Sequence, residues 1–215
     1  MAPTDTEFDI GISAEGEPLG AIAEDFGTDL RALGLTVASE PRPSGAMLAS
    51  LDWVIPTAIA LFIANKYLGT LLEEAAKDHY PQLKAAFLKL ARRTTGPSRE
   101  VRVTVIATSS AKIADVDPAA LSVWTQLRDS RRVVFRFDQA LPALEMEAIV
   151  DEMFTLLLSH YRSQGQSDLL SRAPTAIPMS RWAPVVMRFD PSVGRWRCWV
   201  IGPNGQGSLW LDEPN

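Results

Sequence analysis

Residues 51–72 read Leu-Asp-Trp-Val-Ile-Pro-Thr-Ala-Ile-Ala-Leu-Phe-Ile-Ala-Asn-Lys-Tyr-Leu-Gly-Thr-Leu-Leu, and the fold turns on how this stretch is understood. From Trp53 to Ala64 the only polar side chain is Thr57, after which Asn65 and Lys66 break the run. A membrane-spanning helix needs about 20 apolar residues, so the run falls in the length class of a buried core helix. Extending it to 48–72 reaches membrane length only by drawing Asp52, Asn65 and Lys66 into the bilayer, which is costly for charged groups. The expectation is therefore the first arm of an apolar helical hairpin over about 46–93. Insertion or peripheral docking of 48–72 on a membrane is the alternative. Glu73 and Lys77 form an i,i+4 pair in the favourable order, and Pro56 opens or kinks the arm. Pro81 marks the start of the second arm, with Asp78 as cap. Leu83, Phe87 and Leu90 form its apolar stripe, and Arg92 and Arg93 suit its last turn.

Upstream, Phe8, Ile10 and Ile12 alternate with Asp9 and Gly11, a strand signal. Leu19, Ile22, Ala23, Phe26, Leu30 and Leu33 follow at spacings of three and four, which predicts an amphipathic helix ended by Gly34 at C′. Residues 35–38 then read as a second strand, giving a βαβ-like unit.

Downstream, Thr94-Thr95-Gly96-Pro97-Ser98 is the strongest internal boundary. It divides the chain into 1–95, the βαβ-like unit plus helical hairpin, and 99–215, with one integrated domain as the alternative. Residues 101–107 alternate as a strand with one wet face. Residues 121–127 and 132–137 flank Arg128-Asp129-Ser130-Arg131 as a hairpin, with Val133, Phe135 and Phe137 on one side and Arg132, Val134 and Arg136 on the other. A long helix starts after Asp138 or Leu141 and runs to about Tyr161. Residues 163–183 read as a loop. A last hairpin joins 185–189 to 195–201, and 209–211 adds a short strand. The expected class is α+β: the opening unit and apolar hairpin, then an antiparallel meander with a long covering helix and a C-terminal hairpin.

The 215 residues carry 47% apolar and 22% charged side chains, values of an ordinary globular chain rather than a disordered or fibrous one. Net charge is −5 and the isoelectric point about 5.1, which argues against sequence-independent nucleic-acid binding. Residues 1–50 hold 9 acids against 2 bases, while 51–99 hold 4 against 7, so either these two regions face one another or the acidic one faces a basic partner. Asp5, Glu7 and Asp9, without a basic stretch, do not read as a secretory signal, and the single cysteine fits a reducing compartment, so the expected location is cytoplasmic.

Chemistry-bearing residues are few. His79 and His160 lack a nucleophile at any recognisable spacing, which leaves a histidine-based enzyme as a reading without a motif. Cys198 falls on the apolar face of its strand with Trp196 and Val200, as an inert buried thiol does. One cysteine and two histidines make no zinc set. Asp115 and Asp117 read as turn chemistry, and Glu145 and Glu147, two apart on a helix, point apart. Residues 202–207 contain a Gly-x-Gly without strand-loop-helix context, so no cofactor is expected.

The most distinctive local feature is aromatic. Trp182, Trp196, Trp199 and Trp210, four of the six tryptophans, fall in the last 34 residues beside Arg181, Arg188, Arg195 and Arg197. Tryptophan with arginine is the composition of binding hot spots. The functional expectation is a non-enzymatic interaction or assembly module, its partner a protein or a second copy. Trp53, Phe62 and Lys66 of the apolar stretch and Trp182, Arg195, Arg197 and Trp199 of the tail are its contact residues.

Overall fold

A computed structural model describes residues 8–42, 57–68, 80–97, 99–101, 119–165, 168–175, 183–201 and 207–210. Its centre is the apolar run, and there the run is a strand. β3 (Thr57–Ile63) lies between β1 (Ile10–Glu15), its antiparallel neighbour, and β4 (Ala119–Gln126), its parallel one. A strand that is apolar on both faces reads as a continuous apolar run instead of an alternating one, so periodicity cannot separate it from a core helix. The expected first arm of a helical hairpin is thus corrected over 57–63. The Asn65–Lys66 interruption is the exit from the sheet, where the Ala64 amide donates to the Asp9 carbonyl at 2.9 Å and residues 65–68 make one helical turn. The second arm stands as α2 (Tyr80–Thr94), with Arg92 and Arg93 in its last turn.

The opening unit is the expected βαβ. α1 (Glu17–Ala32) links β1 to β2 (Val37–Arg42), and the two strands pair in parallel. Gly34, at φ +81°, closes the helix: its amide donates to the Arg31 carbonyl and the Leu35 amide to Leu30, the two bonds of a Schellman cap.

In the second half, β4 and β5 (Arg132–Asp138) form the expected hairpin. A 3₁₀ turn, Ala143–Glu145, leads into α3 (Met146–Arg162). The segment expected to be all loop contains α4 (Leu169–Arg172), capped by the Asp168 carboxylate on the Ser171 amide. β6 (Val185–Asp190) and β7 (Arg195–Ile201) make the last hairpin, and β8 (Gly207–Trp210) follows. β6 pairs with β5 in parallel, because the α3 crossover brings the chain back to start in the same direction. The expected antiparallel meander is therefore one mixed eight-stranded sheet, ordered β2-β1-β3-β4-β5-β6-β7-β8, in an α+β protein. It runs unbroken from the residues before the 94–98 boundary to those after it, through the β3–β4 ladder. The strand expected at 101–107 falls almost wholly outside the described residues.

One sheet face carries the core. Ile10, Ile12, Ile59, Leu61, Val123, Phe135, Phe137, Met187 and Trp196 share it in register and are buried. α1, α2 and α3 lie over it: Gly27 faces Ile12, Phe87 meets Phe26 and Phe154 edge to face, and the Trp196 indole N–H donates to the Ile149 carbonyl. The charge contrast between the first two regions resolves into ion pairs between α1 and α2, Lys89–Asp29 at 2.7 Å and Arg93–Asp25 at 2.9 Å. Among the described residues no helix is long and apolar enough to cross a membrane.

Candidate functional site

The face of the sheet turned away from these helices holds the uncommon features. Strand alternation sends every second residue there, and the ladder registers arrange those residues in rows across the strands. One row runs Gly11, Phe62, Trp124, Val134, Val186, Trp199. The next runs Ala60, Ser122, Arg136, Arg188, Arg197.

The first row begins in an aromatic platform. Phe62 stacks on Trp124 with ring centroids 6.1 Å apart at 22°, and is 43% exposed. The Trp124 indole N–H donates to the Ser122 hydroxyl at 2.8 Å, which fixes the ring along its strand. A Cβ at Gly11 would come within 3.0 Å of the Phe8 ring, so glycine there lets Phe8 lie down beside Phe62. Polar groups rim this end of the sheet. The Tyr161 hydroxyl reaches Asn65 and the Gln126 carbonyl, and Lys66 lies 3.9 Å from Asp9, whose other oxygen accepts the Thr36 amide. Burial, with the Asp9 charge adding to it, pushes the Tyr67 hydroxyl up to about 12.

The second row is cationic. Arg136 donates through Nε to Asp138 Oδ1 at 2.6 Å, and Arg188 brings Nε and Nη2 to Asp138 Oδ2 at 3.1 and 2.7 Å. Arg197 holds Asp190 through Nη1, at 2.6 Å, while its Nη2 is buried with no acceptor among the described residues. The Ser192 hydroxyl on Asp190 is the main influence holding that carboxyl below its ordinary range, against partial desolvation, and Arg197 adds to it. The chemistry this row offers is charge-assisted hydrogen bonding between guanidinium and carboxylate groups.

Of the residues singled out from sequence, Phe62 is at the platform and Lys66 at its rim, Arg197 is in the cationic row, and Arg195 is exposed at the start of β7. Trp199 is only 4% exposed, so its indole fills the sheet face beside the arginines. Trp53 and Trp182 lie outside the described residues, as do His79, Asp115 and Asp117. Sequence reading took Phe8 only as a strand residue and passed over Trp124; Phe8 lies before β1 with its ring over Gly11, and the β1–β3–β4 register sets Gly11, Phe62 and Trp124 in one row. It also passed over Asp138 and Asp190, although Arg136-Phe137-Asp138 and Arg188-Phe189-Asp190 both space their charges two apart, as strand neighbours on one face require.

His160 is buried with both ring nitrogens engaged. Nδ1 meets the Asp168 carboxylate at 3.0 Å, and Nε2 accepts the Arg128 amide at 3.3 Å. Ser163 donates to the same carboxylate at 2.9 Å. A histidine, a carboxylate and a hydroxyl thus meet, but the nitrogen that a general base would use is spent on backbone. The group ties α3, α4 and the β4–β5 turn together. Although partial burial opposes it, the Ser171 amide, His160 and Ser163 hold the Asp168 carboxyl below its ordinary value. Cys198 is buried, donates to the Pro174 carbonyl, and is pushed up to about 12 by desolvation. Among the described residues no group of three His, Cys, Asp or Glu side chains could hold a metal ion.

Neither a protein-family model, a curated protein nor a solved structure matches this chain.

Proposed function

We infer that the protein is a non-enzymatic assembly module in which two copies meet through the Phe8–Phe62–Trp124 platform. The observation that carries this is Phe62, a 43% exposed aromatic ring on a central strand, stacked on a tryptophan, with Lys66 and Asp9 at the same end of the sheet. An apolar centre with a polar rim is the anatomy of a protein contact. The second copy is favoured over an unrelated partner because the rim sets both signs of charge side by side. A two-fold axis through the platform places Lys66 of one copy against Asp9 of the other and the reverse, the self-complementary arrangement an isologous contact requires. A patch of three rings is small, so association is weak, with Kd of about 10–100 μM.

Sedimentation equilibrium of Lys66→Glu checks the rim. The variant is expected to dimerise more weakly than wild type at low salt, the difference closing in about 0.5 M salt as exposed charges are screened. Equal dimerisation at both salt concentrations would count against the arrangement. Peripheral membrane attachment through 48–72 would draw β3 out of the middle of the sheet, and flotation with anionic vesicles tests that reading directly.

A further inference from the structure

Four elements meet at the C-terminal end of α3. The Arg128 amide, in the β4–β5 turn, donates to His160 Nε2 at 3.3 Å. Arg131, in the same turn, donates to the carbonyls of Leu170, Ser171 and Ala173, which seats α4 beside it. The Tyr161 hydroxyl reaches Asn65, at the exit of β3, at 2.8 Å. This packing gathers cations: Lys66, Arg128, Arg132, Arg162 and Arg172 are all exposed around the corner. The acids among them are already engaged, Asp129 on Arg131 at 2.6 Å, Asp168 on His160 and the Ser171 amide, and Asp9 on the Thr36 amide. With Arg131 included, six bases stand against these three acids, a local excess of positive charge in a chain of net charge −5. Arg128 and Arg162 supply two of the excess charges, since neither pairs with a carboxylate among the described residues. The Arg128 guanidinium lies over the Tyr161 ring, 5.6 Å from its centroid, which limits the freedom that side chain has left to lose on binding.

We propose that this corner docks an acidic polypeptide segment, with Arg128 and Arg162 as its anchors. Both are open to solvent, so a carboxylate reaches either guanidinium without displacing protein, and the planar fork takes it through two hydrogen bonds. The charge of the rest of the chain selects the class of partner. A nucleic acid or an anionic bilayer carries negative charge far beyond the corner and so meets the acidic remainder of the molecule. A short acidic segment touches the corner only, and charges more than about 8 Å away are screened at physiological salt. The surface is built from α3, α4 and the β4–β5 turn, and needs neither the aromatic platform nor a second copy of the chain.

Fluorescence anisotropy of a labelled glutamate-rich peptide, titrated with the full chain, tests the proposal against a single-stranded oligonucleotide of equal charge and vesicles of phosphatidylserine and phosphatidylcholine. Wild type is expected to bind the peptide saturably at low salt and more tightly than either alternative, with the affinity falling about tenfold by about 0.3 M salt. Arg128→Gln and Arg162→Gln, both exposed changes, should each weaken peptide binding about threefold, and the double variant about tenfold. Arg92→Gln, an equal loss of charge at an exposed position in the last turn of α2, should leave it unchanged. Phe62→Ser should bind the peptide as wild type does, so the outcome for self-association and the outcome here are read separately. Circular dichroism checks that each variant folds, and either single arginine variant carries the test if the double does not fold. No saturable peptide binding, tighter binding of oligonucleotide or vesicles, affinity unmoved by the Arg128 and Arg162 variants, or an equal loss in Arg92→Gln or Phe62→Ser would overturn it.

Discussion

Asp168 shows how much one side chain can hold. Its carboxylate caps α4 through the Ser171 amide, orients His160, and accepts from Ser163. Replacing it by alanine removes a helix cap and leaves a buried imidazole N–H without its acceptor, a loss of about 2–3 kcal/mol that urea denaturation would measure. Asp168 and Asp190 both have folded-state values below the ordinary 3.8. A depressed carboxyl contributes stability that is fully present above its unfolded value and is lost as pH falls through the folded one. Stability measured from pH 6 downward should therefore hold until about pH 4 and then fall, less steeply in Asp168→Asn. Cys198, raised to about 12 by burial, should resist alkylation at pH 8 in the folded protein and react only on unfolding. Rapid native labelling would mean that β7 does not turn its Trp196–Cys198 face inward. Trp199, named from sequence as a contact residue, is only 4% exposed. Its removal should cost about 3 kcal/mol or more in thermal or chemical denaturation, as for other buried tryptophans.

At the scale of elements, amphipathic segments were legible and fully buried ones were not. α1, α2 and α3 each show one apolar stripe, and the β4–β5 and β6–β7 hairpins alternate around plain turn residues, so the spacing predicts each of them. β3 lacks polar side chains to set its period, because Ile59 and Leu61 enter the helix-covered core while the other side carries Ala58, Ala60 and the exposed but apolar Phe62. Seven residues without contrast fit helix and strand equally. α4 was hidden for another reason: four residues are too short to show a period, and the cap at Asp168 was the only mark of it. What holds α4 in place is distant in sequence. Arg131, in the β4–β5 turn, donates to the carbonyls of Leu170, Ser171 and Ala173. Arg131→Ala should therefore speed amide hydrogen exchange across 168–173 while leaving α1 and α2 protected. Unchanged exchange there would show that α4 is held by Leu170 packing alone.

At the scale of the molecule, sheet order decides what the protein presents. Phe62 and Arg197 were singled out from sequence, but strand direction and neighbour order govern which side chains accompany them, and those depend on long-range pairing that no local pattern encodes. The platform exists because β1, β3 and β4 are neighbours, and the arginine row because β5, β6 and β7 are in register. Sedimentation velocity of wild type and Phe62→Ser, from about 10 to about 300 μM and so bracketing weak association, tests the central claim most directly. Phe62 is exposed enough that the variant should fold with a loss of about 1 kcal/mol or less. The account predicts that the wild-type sedimentation coefficient rises with concentration while that of Phe62→Ser stays at the monomer value. Identical profiles for the two proteins, whether flat or rising, would contradict it.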